Sequence, residues 1–152
     1  MKQQGVLMGT VKSVDDPQGI GQVQVHFPTL GITSNWAPVA VPLAGNKRGS
    51  WIMPELNDEV LVAFNEGNFN QPCVVGFLWN GQDKPPETDV EIRVIRTPGG
   101  HELRFEDKAG SKKVILKTDG GLTITMDDSK SSIEIKGGGR AVTMESGQVK
   151  IT

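Results

Sequence analysis

Leu122-Thr123-Ile124-Thr125-Met126-Asp127-Asp128-Ser129-Lys130-Ser131-Ser132-Ile133-Glu134-Ile135-Lys136 is the longest stretch of the chain free of Gly and Pro. A helix would place apolar residues three or four apart; here they fall at every second position, which is the period of a half-buried strand. The same grammar extends both ways. Val114/Leu116, Leu122/Ile124, Ile133/Ile135, Val142/Met144 and Val149/Ile151 form a loose series, punctuated by Gly120-Gly121, Gly137-Gly138-Gly139 and Gly147. Each strand offers only two or three apolar side chains, all on one face. Such strands cannot offset their own ordering entropy and need stacked or wound copies. The C-terminal half therefore predicts an oligomer.

Moving toward the N-terminus, Asp83-Lys84-Pro85-Pro86-Glu87-Thr88-Asp89 is a stiff joint. Before it the strands are longer and more apolar: Val6–Val14, Ile20–Phe27, Trp36–Val41, Val60–Phe64 and Cys73–Trp79. Leu56, Val60, Ala63 and Phe64 would also fit a helical face, but the β-branched run from Val60 favours a strand. The last two strands are apolar on both faces, which calls for a second layer over the wall, such as another subunit. Five or six strands at this length fit a small closed barrel of the OB type. The expected division is an OB-fold domain over 1–83, a linker over 84–98 and a spike over 99–152.

The composition narrows the function classes. Gly (19) and Pro (9) are abundant and Tyr is absent, as suits a turn-rich all-β chain. A net charge of −2 argues against a general phosphate-coating role. One cysteine, Cys73, excludes an intrachain disulfide. No apolar run is long enough for a membrane-spanning helix, and Met1-Lys2-Gln3-Gln4-Gly5 has no leader-like apolar core.

Chemical motifs are lacking. His101 has Phe105, not His, four residues on, so there is no HExxH zinc site, and no His-X-His pair occurs. His26 alternates onto the polar side of its strand, and Cys73 reads as a buried small hydrophobe. Gly137-Gly138-Gly139-Arg140 lacks the strand–helix frame of a phosphate loop and reads as a turn. Asp15-Asp16 and Asp127-Asp128 are adjacent, so each pair splits to opposite faces and makes a poor glycosidase dyad. The expectation is no enzyme, no catalytic residue, no metal and no cofactor. The main rival is an OB-fold single-stranded nucleic-acid binder, for which Trp51 beside Lys47-Arg48 is the one aromatic in a basic context.

Gly21-Gln22-Val23-Gln24-Val25-His26-Phe27-Pro28, Trp36-Ala37-Pro38-Val39, Pro54-Glu55 with Asp58–Phe64, and Gln71-Pro72-Cys73 through Trp79-Asn80-Gly81 fall in a familiar order. The order closely resembles the OB-fold domain of the phage baseplate assembly protein V and VgrG families, the central spikes of contractile injection machines. Pro98-Gly99-Gly100-His101-Glu102-Leu103-Arg104-Phe105-Glu106-Asp107 is similar to the segment leading into the spike. Two positions depart from the family pattern: Asn57 stands for a usual Gly and Asn68 for a usual Asp.

The resemblance implies an all-β homotrimer, an N-terminal OB-fold barrel followed by a C-terminal intertwined trimeric β-helix, or β-prism needle. Five strands per chain would stack to roughly 25 Å. The expected trimer core is Val114, Leu116, Leu122, Ile124, Ile133, Ile135, Val142 and Met144. Gln148, Val149, Lys150, Ile151 and Thr152 are expected to bind a PAAR-repeat tip protein. Baseplate hub and tube proteins are expected at the N-terminal end, with no nucleic acid and only transient contact with the target membrane. Assembly is expected in the cytoplasm, into a phage tail or phage-like particle.

Overall fold

The computed structural model describes Lys2 and residues 5–152; of the opening five residues read for a leader, Met1, Gln3 and Gln4 lie outside the described residues. Two compact units divide the chain at Lys84/Pro85.

The first unit is a small barrel. Its strands are β1 (Val6–Ser13), β2 (Gln22–Phe27), β3 (Ile32–Thr33), β4 (Ala37–Pro38), β5 (Ala44–Gly45), β6 (Arg48–Gly49), β7 (Glu59–Phe64) and β8 (Pro72–Leu78). The sheet runs β3-β2-β1-β7-β8, with β4 also paired to β2. A bridge between Val39 and Val74, with Ala40 N–H donating to the Val74 carbonyl at 2.8 Å, closes the wall. The segment 55–66 thus resolves as a strand ending in a single 3-10 turn (Asn65–Gly67), not a helix.

Alternation puts Val23, Val25 and Phe27 of β2, and Val60, Val62 and Phe64 of β7, inside. Phe27, Phe64 and Phe69 cluster with ring centroids 5.1–5.9 Å apart. The wall closes tightly at Gly9, where an added Cβ would meet the Val25 side chain and the His26 carbonyl at 2.7 Å. Asn57 has φ 74°, which explains why a glycine suits this position and why Asn, which tolerates left-handed backbone, replaces it. Asn68 Oδ1 accepts the Asn70 N–H at 3.1 Å, a turn cap that an Asp would make equally well. Asp16 organises the 16–22 loop. Desolvation raises its pKa, but N–H groups of Gln18, Gln22, Ile20 and Gly19 outweigh this and hold it below the usual range.

The second unit is one antiparallel meander: β9 (Ile92–Arg96), β10 (Glu102–Glu106), β11 (Lys113–Lys117), β12 (Thr123–Asp127), β13 (Ser132–Gly137), β14 (Arg140–Glu145) and β15 (Gln148–Ile151). Each strand pairs with its sequence neighbour, giving a seven-stranded sheet. One expectation changes here. Residues 92–96, within the stretch read as linker, form a strand because Val94 and Ile95 pair in register with Arg104 and Leu103. Consecutive strands of this unit exchange their ladder hydrogen bonds within the chain. The turns explain this regularity. Gly138-Gly139 (φ 58° and 75°) and Ser146-Gly147 (φ 48° and 73°) are two-residue hairpin loops with both residues left-handed, the geometry that matches strand twist. Gly137–Arg140 is therefore a hairpin turn, as the sequence indicates.

Candidate functional site

Directly opposed residues of an antiparallel ladder share a face. Leu103, Leu116, Ile124, Ile135, Val142 and Ile151 are opposed in succession across the meander, with Ile95 at its far end. A second row, Phe105, Val114, Met126, Ile133, Met144 and Val149, runs beside it on the same face. Arg93, opposite Phe105, is paired with Asp107 at 2.7 Å, and Arg140 borders the same groove at the hairpin end of β14.

Seven of the eight expected core residues, all but Leu122, lie on this face. Leu122 just precedes β12 and lines the same apolar groove as Leu116, Ile124, Ile135 and Ile151. Of the expected tip residues, Val149 and Ile151 belong to the apolar rows, Gln148 and Lys150 point the other way, and Thr152 exchanges backbone hydrogen bonds with Ala141. Ile95, Leu103, Phe105 and Met126 complete the surface and were not among the expected core. Their signal was legible in the alternation of Leu103 and Phe105, but the sequence alone did not join that segment to the repeat.

The face has no cover within the chain. Among the described residues, every fully buried hydrophobic side chain lies between Val11 and Val74. Beyond them, Leu116 remains 52% exposed, Ile135 47% and Ile151 79%. A contiguous apolar surface of this extent is not left wet in a stable protein.

The reverse face is polar and internally paired. Arg104 sits among three carboxylates: Glu87 at 2.8 Å, Glu106 at 3.0 Å and Glu102 at 3.5 Å. Glu87 is held below the usual carboxylate range by N–H groups of Thr88 and Asp89 and by the Arg104 guanidinium. The Asp127 pKa is lowered by the Ser129 hydroxyl at 2.6 Å, with Lys113 nearby. Lys150 pairs with Glu145 at 2.6 Å.

On the barrel, the outer side of β1, β7 and β8 carries Val6, Met8, Leu61, Ala63 and Cys73, brought together by register. Cys73 is half-buried on this outer side rather than in the core, because Val74 takes the inward position. His26 is half-buried on the outer side, 3.4 Å from the Thr33 hydroxyl. Among the described residues no group of three His, Cys, Asp or Glu is arranged to hold a metal ion. Among the described residues no helix is long and apolar enough to cross a membrane.

Residues 7–79 match the type VI secretion system/phage-baseplate injector OB domain. Residues 92–152 match the phage baseplate V C-terminal trimerisation domain. The chain belongs to the phage baseplate V family. Baseplate V relatives include the type VI secretion system spike protein VgrG3 of Vibrio cholerae, 31% identical over 70% of this chain and 12% of that protein. The actin cross-linking toxin VgrG1 of the same species is 32% identical over 63% of the chain and 10% of its own length. The Pseudomonas aeruginosa spike protein VgrG5 is 32% identical over 66% and 14%. The alignment to each thus spans well under a fifth of the relative's length. The shared region is that of structural spike proteins.

Proposed function

We propose that this chain is the central spike of a contractile injection machine, a homotrimer whose C-terminal meanders face inward as the three walls of a prism. The observation that carries the reading is the uncovered two-row apolar face, in the segment that matches a trimerisation domain. Geometry supports three walls. A five-residue strand is about 17 Å long at ~3.4 Å per residue, and a triangle of that edge has an inner radius of about 5 Å. That is half the ~10 Å at which sheets pack face to face, so inward side chains fill the interior. Seven strands at ~4.8 Å spacing make a section about 29 Å tall. Each wall is formed by one chain, in place of strands wound from three.

In this reading the trimer closes the end of the injection tube and is driven into the target envelope on sheath contraction. Its role is mechanical rather than enzymatic. Hub and tube proteins hold the N-terminal end, a PAAR-repeat protein docks on residues 148–152, and assembly into the particle takes place in the cytoplasm. The spike names of the relatives support this class of role. The single-strand-binding alternative is less well supported, since Trp51 is the one exposed aromatic beside the Lys47–Arg48 hairpin. Sedimentation velocity on the full chain tests the proposal: a species of three times 16.4 kDa at micromolar concentration is expected, and a folded monomer would refute it.

A further inference from the structure

Two exposed aromatic patches lie at one end of the barrel, one bordered by a basic hairpin on one side and by Asp15 and Asp16 on the other, the second bordered by carboxylates. The first centres on Trp51, 73% exposed and packed over Gly21, beside the β5–β6 hairpin that carries Lys47 and Arg48. The second centres on Trp79, 70% exposed, with Phe77, 49% exposed, between Asp58, Glu59 and Asp83. Lys84 borders this second patch, leaving it net negative. The register places both at the same barrel end, since β2 and β7 begin where β1 and β8 finish. Among the described residues neither Lys47, Arg48, Asp58, Glu59 nor Asp83 has an ion-pair partner within the chain.

We infer that these patches are the two halves of one heterologous contact between OB units: the Lys47–Arg48 hairpin and Trp51 of one copy dock against Trp79, Phe77 and Asp83 of the next. The occupant is a second copy because the two hairpin cations, Lys47 and Arg48, and the exposed Trp51 find their complement in the carboxylates and the exposed Trp79 of the other patch of the same domain. Unlike patches that meet head to tail generate a ring when the rotation closes. Three copies would close one around the axis and fix the rotational setting of each barrel. Opposite charge fixes which patch meets which and suppresses like-on-like pairing. The inference rests on the trimer reading but adds a contact that the C-terminal walls do not require.

The test uses the full chain with Cys73→Ala, carrying Lys47→Cys and Asp83→Cys. Mild oxidation is expected to give a ladder of covalent dimer and trimer, while each single-cysteine chain gives no trimer. A second arm reverses charge. In the two-cysteine chain, Arg48→Glu should cut ladder formation at least tenfold, and adding Glu59→Lys should restore it. A chain that sediments as a trimer yet yields no intersubunit disulfide, or no rescue by the double reversal, overturns the ring contact and leaves the trimer standing. A chain that sediments as a monomer overturns both.

Discussion

Ile135→Asp places a carboxylate in the middle of the apolar face, between Ile124 and Val142 on neighbouring strands. Ile135 is 47% exposed in the single chain, so about half of its side chain is left for partner copies to cover. Full burial of Ile is worth about 1.5–3 kcal/mol, so its loss removes about 1 kcal/mol per chain from assembly. The new charge adds more. Burying an ion costs several kcal/mol, and the carboxyl can escape only by protonating, which at pH 7 costs about 4 kcal/mol against an ordinary pKa near 3.9. Three copies around one axis therefore lose about 10–15 kcal/mol, which at 1.4 kcal/mol per tenfold weakens trimerisation by roughly seven to eleven orders of magnitude. The sign of the pH effect follows. The carboxyl pKa is raised in the trimer, so assembly is favoured below about pH 4 and lost as pH rises. The matched control is Thr123→Asp on the reverse face, where Lys117 and Lys136 flank the position. Sedimentation velocity at pH 7 and pH 4 reads both variants. A trimeric Ile135→Asp with unchanged melting, or a Thr123→Asp that dissociates equally, would refute the inward orientation of this face.

Gly9→Ala should destabilise the barrel by about 1–3 kcal/mol through overpacking against Val25 and the His26 carbonyl, read as a lower urea midpoint without loss of trimer. Gly139→Val forces a β-branched residue to φ 75° and should cost about 1–2 kcal/mol, read as a lower melting temperature of the C-terminal unit. Glu87 is held below the usual carboxylate pKa, so its contribution is full above about pH 4.5 and falls away as pH drops through its depressed value. Arg104→Met should reduce that acid dependence in part, the Thr88 and Asp89 N–H groups remaining, and increase hydrogen exchange of the amides over 87–91; an unchanged acid profile would count against the clamp. Purified full chain is expected to leave a peptidoglycan suspension unclarified, and robust clearing would contradict the mechanical reading.

The period-2 grammar of Leu122–Lys136 was enough to predict strands, a one-sided apolar face and the need for partner copies. Alternation is local, and so are the Gly-rich turns that set the register. The barrel core was legible for the same reason in β2 and β7, where inward and outward residues separate cleanly. What escaped was non-local. Ile92, Val94 and Ile95 are β-branched and suit a strand, but the segment is short and follows the Pro-rich joint, and its pairing with β10 supplies the order. Arg104 draws its role from the fold, which brings the carboxylates of Glu87, Glu102 and Glu106 to it. Apolar character on both sides of β7 and β8 was visible, yet only register shows that Met8, Leu61, Ala63 and Cys73 form one outer patch.

The strands of the C-terminal unit run crosswise, so its backbone hydrogen bonds lie along the direction from β9 to β15. A load that compresses the sheet in this direction pushes neighbouring strands together, and every ladder shares it at once. A load that stretches it acts differently. It works on the free edge, where β15 is held by one neighbour, and can peel strands away singly. Such a wall resists thrust better than traction, as the proposed spike role requires. Length is also cheap to change: an added two-strand hairpin extends the wall by about 9.6 Å without altering its cross-section or the residues already in place.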